Sequence, residues 1–301
     1  ANNQTDTAST INAALSSGAH VVLSPGIYTL TESLNVSTKG QVLMGLGFPT
    51  LISASGNAVV TVGNVDGVRI AGPFLLQAGP KPTKVLMQWG DGTYAGNPAA
   101  PSIMYSIFAR VGGPDTVPVQ AETMLRIDTG NVIGDNFWLW RADHTVNGGV
   151  YNSDNPGLHG AIVTGDDVTL YGLAVEHTLN DLVQWSGDRG QTVFFQSELP
   201  YDVTQANFGD PGYVGYRVNA SVTQHSGIGI GVYTFFRDNN VTVSSGIVTP
   251  PALESSFVNP VTIFLSGKGH VDHVINNDGA ATGWDAQRTA WVCSSKEGGA
   301  N

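Results

Sequence analysis

Three acidic residues in the middle of the chain, Asp143, Glu176 and Glu198, each close a run of apolar and aromatic residues that opens on Gly-Asp. The runs are GDNFWLWRADHT from Gly134, GDDVTLYGLAVEHT from Gly165 and GDRGQTVFFQSEL from Gly187, and the acids follow one another at intervals of 33 and 22 residues. Carboxyls repeated at one register of a coiling chain stack above one another, roughly 5 Å apart at strand spacing. Held that close they do not all ionise freely. Like-charge repulsion raises at least one pKa and sets an acid beside a base. Glycoside hydrolysis uses such a pair: one protonated carboxyl for the leaving oxygen and one carboxylate for water or for the sugar. Backbone spacing does not choose between the inverting separation of ~6.5–9.5 Å and the retaining one of ~5–5.5 Å, because side chains splay.

The surroundings suit a sugar. Trp138, Trp140, Trp185, Phe194, Phe195 and Tyr201 lie on the same runs, and aromatic faces stack on the C–H faces of sugar rings. Because strand residues alternate, about half of these aromatics belong to the core. His144 and His177 follow the first two acids, and Asp188, Arg189 and Gln196 are polar neighbours. The expected catalytic residues are Glu198, Glu176 and Asp143. The expected substrate contacts are Trp140, His144, His177, Trp185, Asp188, Arg189, Gln196 and Tyr201. A lone acid at a turn more often caps backbone N–H groups, and a lone histidine more often makes a structural hydrogen bond. On that ground the column Asp135, Asp166 and Asp188, with its carboxylate pair Asp166 and Asp167, is the second choice. Asp6, Glu32 and Asp66 read as structural.

The elements that position these groups are strands. VVLSPGIYTL, QVLMGL, AVVTV, GVRIAG, KVLMQW, TMLRID, FWLWRAD, VTLYGLAVEH, TVFFQSEL, IGIGVYTFF and VTIFLSG are short β runs punctuated by Gly, Asn, Asp and Pro. Only the start reads as helix: Asp6 or Thr7 caps it, Ile11 and Leu15 share one face and Gly18 stops it. About 22 residues suit one three-strand coil, and the extra eleven between Asp143 and Glu176 fit the loop TVNGGVYNSDNPG. The expected fold is all-β, a single-stranded parallel β-helix with residues 1–19 as a capping segment, 20–290 as the solenoid and 291–301 as a tail.

Composition narrows the class. Gly makes up 38 of 301 residues, about 13% against a usual ~7%, as repeated tight turns require. A hydrophobic content of 41% excludes disorder, and a net charge of −11 disfavours nucleic acid. No apolar stretch approaches the ~18 residues of a membrane span. Cys293 is the only cysteine, so it is a free thiol or the mark of a missing partner. HVDHVINND, from His270 to Asp278, does not match a zinc motif, and neither a phosphate loop nor a Gly-x-Ser-x-Gly elbow occurs. No metal and no cofactor is expected. The chain opens on Ala1 and reads as mature, processed or excised. Sequons at Asn3, Asn35, Asn219 and Asn240, with few lysines, favour a secreted glycoprotein.

WLWRADH, YGLAVEHT, FFQSELPYDV and GIGVYTFFRD resemble the C-terminal half of glycoside hydrolase family 55, best over Asn131 to Gly279. The resemblance implies an exo-acting, inverting β-1,3-glucanase built from two tandem right-handed, pectate-lyase-like β-helices with the cleft between them. It also implies that Glu198 is the general acid, that Glu176 helps activate water and that Asp143 supports that base or binds sugar. This chain has one β-helix, so a missing N-terminal half is the expected partner and a β-glucan the expected substrate. Three other readings stand beside it. One is an α-1,3-glucanase or polygalacturonase-like enzyme using Asp166 and Asp167. Another is a polysaccharide lyase in which Arg141 or Arg189 takes a proton. The last is a non-catalytic glucan-binding β-helix.

Overall fold

The computed structural model describes residues 1–293. A helix, Ala8–Ser16, closes the first coil. Thr7 is its N-cap, in a reciprocal pair with Thr10. Its buried face of Ala8, Ile11 and Leu15 seals the end of the core, and Gln41 Nε2 donates to the Leu15 and Ala19 carbonyls at its far end, 2.8 Å each. Buried capping bonds of this kind satisfy carbonyls that a helix end otherwise leaves orphaned.

From there the chain coils. A 14-stranded sheet and an 8-stranded sheet face one another, and successive coils pair in parallel along both. The larger sheet is two faces in one. In the early coils they are separate strands, Val42–Gly45 and Thr50–Ser53, and both pair with the single long strand Arg69–Gln77. Every later long strand keeps a bend between the two faces. The bend residue has positive φ in each coil: Gly72 (97°), Ser106 (58°), Asn136 (65°), Gly172 (58°), Phe194 (62°) and Gly229 (64°). Together with the 8-stranded sheet this makes a three-faced parallel β-helix.

Inward residues form apolar ladders, which is why alternation was readable. On the second face Phe137, Leu173, Phe195 and Ile230 stack in register, as do Leu139, Val175, Ser197 and Val232. The strands Ser102–Gly113, Gly157–Val163 and Tyr216–Val218 were not among the expected runs. At the far end Thr289–Trp291 pairs antiparallel with Val261–Gly267, so residue 291 sits in a strand rather than in a tail. The rest of the expected tail, from residue 294, lies outside the described residues. Cys293 is exposed and unpaired.

Candidate functional site

Outward positions of the second face make two columns. One runs Leu75, Phe108, Trp138, Ala174, Gln196, Gly231; the other runs Gln77, Arg110, Trp140, Glu176, Glu198, Tyr233. Glu176 and Glu198 are therefore direct cross-strand partners, 22 residues apart, one strand spacing from each other. The residue below Glu176 is Trp140, 36 positions earlier. Asp143 is not in the column. It lies three residues past that register, where the strand Val132–Thr145 folds back and the Val150 N–H bonds to its carbonyl. The Gly-Asp alignment failed because Gly134 is a strand residue, paired with Leu170. Gly165 and Gly187 are turn residues, close-packed on Gly130 and Gly165 respectively. Asp143 nevertheless stays near enough for its charge to act on Glu176.

The carboxyls sit in a web of aromatic donors. Trp138 Nε1 donates to Glu176 Oε2 at 2.9 Å, and the Trp138 ring stacks on Trp140 at 5.1 Å. Trp140 in turn meets the His144 ring at 5.4 Å, and His144 Nδ1 lies 3.0 Å from Asp143 Oδ1. The Tyr201 hydroxyl donates to Glu198 Oε2. Tyr201 is wedged edge-on between His177 at 4.3 Å and Phe235 at 4.7 Å. Burial pushes the Glu176 carboxyl up to about 7. The charges of Glu198 and Asp143 act in the same direction, and hydrogen bonds from Trp138 and Gln196 work against them. Burial and the bond to Glu198 hold the Tyr201 hydroxyl well above its ordinary range, so it remains a donor. Titrations coupled in this way belong to the cluster rather than to one residue.

Beside the carboxyls, towards the first coils, lies a hollow of about 370 Å³ lined by Phe48, Leu75, Phe108, Arg110, Trp138 and Trp140. Phe48 stacks on Phe108 at 5.2 Å. Sequence reading missed both. Phe108 sits on a strand it did not recognise, because the bend at Ser106 breaks the alternation between the inward residues Met104 and Ile107. Phe48 arrives from an exposed turn with φ of 67°.

Several expected contacts lie elsewhere. Trp185 is fully buried in the core, stacked on Tyr216 and edge-on to His225. His177 is 3% exposed, behind the Tyr201 ring rather than in the groove, and burial lowers its pKa to about 4. Asp188 and Arg189 precede the strand Gly190–Glu198, at the opposite end from Glu198. Asp188 accepts from the Thr223 and Gln224 backbones, and Arg189 bonds to Asp166 at 3.1 Å and to Asp167 at 2.7 and 2.8 Å. The hydrogen bond from Arg189 holds Asp167 below its ordinary range. Asp166 and Asp167 thus form a turn in which both carboxylates are engaged by Arg189. Asp135 is not above them, since it pairs with Tyr105 and Tyr171. Arg141 is 1% exposed and clamps Asp202 through two bonds of 2.9 Å. It and Arg189 are engaged cations, not bases.

Comparison with known proteins follows this geometry. The chain matches the LAM55 pectate lyase-like domain over residues 1–198. It is 37% identical over 294 residues to a protein named exo-beta-1,3-glucanase from Streptomyces sp. (strain SirexAA-E / ActE), covering 96% of this chain and 48% of that protein. The structure of sacteLam55A from Streptomyces sp. SirexAA-E superposes with a TM-score of 0.89 at 36% identity, covering 96% of this chain and 53% of the other. A glucose-bound variant of sacteLam55A gives 0.88 at 36% identity, covering 96% and 52%. The chain spans about half the length of the relatives it matches.

Proposed function

The chain belongs to the LAM55 pectate lyase-like family, and from that premise we propose that it is the catalytic half of a β-1,3-glucan hydrolase. The observation that carries the reading is the stacked pair Glu176 and Glu198 on an aromatic-lined face, with burial pushing the Glu176 carboxyl up to about 7. A glucosyl unit lies over Gln196 and against Trp138. Glu198 protonates the departing glycosidic oxygen; the Tyr201 hydroxyl engages its Oε2 and leaves Oε1 for substrate. Glu176 takes a proton from the attacking water, and Asp143, tethered to His144, keeps that water ordered. Water enters on the face opposite the leaving group, so the anomeric centre inverts. The Trp140 and Phe108 hollow receives the next units of the glucan.

One observation favours a second assignment within the same pair. The raised pKa stands at Glu176, which makes Glu176 the resting acid and Glu198 the base. Substrates with activated leaving groups separate the two, because they need no acid.

The relatives' other half is proposed to close the groove as a second β-helix. The natural polypeptide is then about twice this length, which an intact-mass measurement reads directly. Secretion and glycosylation are proposed on the four sequon asparagines, Asn3, Asn35, Asn219 and Asn240, all exposed. Endoglycosidase treatment of the natural protein should reduce its mass.

The pH dependence follows from the pair. Hydrolysis needs one proton and one carboxylate between Glu176 and Glu198. Burial keeps Glu176 protonated below about 7 and leaves it a carboxylate above. With Glu176 as the base that takes the water's proton, the kcat/KM for laminarin should rise as pH climbs towards about 7 and Glu176 ionises; with Glu176 as the acid it should fall through the same range. A profile flat from pH 6 to 9 would contradict the role given to the pair.

A further inference from the structure

Phe194 stands out from its own column. Its counterparts at the bend are Gly72, Ser106, Asn136, Gly172 and Gly229, all small or suited to positive φ. Phe194 has φ of 62° and is 65% exposed. A bulky residue in the left-handed region is strained, at a cost that packing usually offsets. Here the ring projects into solvent, so the fold recovers nothing from it. On either side, Tyr171 and Ile228 are also open, at 41% and 40%.

The position explains the ring. Phe194 is two residues from Gln196 and on the same strand as Glu198. Gln196 is flanked in register by Ala174 and Gly231, so the floor beside it is low. Trp138 rises beyond Ala174, and the Glu176 and Glu198 column borders another side. Phe194 lies outward along the strand from Gln196, on the side away from Glu198, where the sheet bends.

We infer that Phe194 is a substrate-contacting wall of this groove, set to lay its ring against the C–H face of a glucosyl unit seated over Gln196. The inference rests on the glucan reading of the groove and adds a residue to it.

Phe194→Asn tests it, because Asn136 already occupies this bend position in the same column. Calorimetric titration of laminaripentaose into Glu198→Gln protein, which leaves the oligosaccharide uncleaved, with Phe194 in its wild-type form or replaced by Phe194→Asn or Phe194→Trp, is paired with thermal melts. The expected result is a melting midpoint unchanged or raised in Phe194→Asn, with affinity lowered about five- to tenfold, the scale of one lost stacking contact. Phe194→Trp should bind within about twofold of the protein with Phe194 intact. Undiminished affinity in Phe194→Asn would overturn the inference and leave the ring as open apolar surface. Weaker binding together with a lowered midpoint would also overturn it, by making the ring a packing residue. If the protein with Phe194 intact binds no oligosaccharide, the glucan reading falls and takes this inference with it.

Discussion

Glu198→Gln is expected to lower turnover of laminarin by about a thousandfold, within the usual range for loss of a positioned general acid. The change is nearly isosteric, and Tyr201 keeps an oxygen to donate to. The melting midpoint should therefore move little. The diagnostic is the leaving group. A 2,4-dinitrophenyl β-glucoside departs without protonation, so Glu198→Gln should hydrolyse it within about tenfold of wild type. Glu176→Gln should lose activity on both substrates, since no leaving group replaces the base. Retained activity of Glu176→Gln on the activated substrate, with none in Glu198→Gln, would exchange the two roles.

Arg141→Met is expected to destabilise the protein by about 3–5 kcal/mol, the cost of stranding one member of a buried ion pair. Arg141 and Asp202 are 1% and 2% exposed. The guanidinium also donates to the Asp154, Asn155 and His177 carbonyls, and Asp202 accepts from the Ser153 N–H. Burial works against the Asp202 carboxylate, and Arg141 outweighs it, holding the carboxyl below its ordinary range. The pair thus ties the loop after Asp143, the residue after Glu176 and the segment after Glu198 into one knot behind the groove. Replacing both partners, Arg141→Met with Asp202→Leu, should recover most of the loss, because no unpaired charge is then left inside. Urea unfolding of the two variants measures both numbers. A loss below about 1 kcal/mol in the single variant would mean that water or another group takes over.

The fold was legible where coils have equal length. Between Glu176 and Glu198 the chain makes one unbroken turn, so sequence interval and spatial register agree. Between Asp143 and Glu176 a loop intervenes. An alignment of Gly134 on Gly165 then slipped by five residues, and that of Asp143 on Glu176 by three, because Gly-Asp marks a strand at one place and a turn at two others. The inward ladder, Phe137 on Leu173 on Phe195, was the safer anchor, since a one-residue slip turns a whole face outward. Burial of single residues was less readable. Trp138 and Trp185 look alike in sequence, yet one binds the Glu176 carboxyl and the other fills the core. Arg189 and Arg141 were visible as cations, but their partners, 22 and 61 residues away, depend on how the coils stack.

The central claim is that Glu176 and Glu198 act on one glycosidic bond from opposite faces of the sugar. The most direct test is proton NMR of the first glucose released from laminarin by the natural protein. The account predicts α-glucose first, with the β anomer appearing only through mutarotation, and neither in Glu198→Gln on the same timescale. Initial release of β-glucose, or glucose release undiminished in Glu198→Gln, would contradict it.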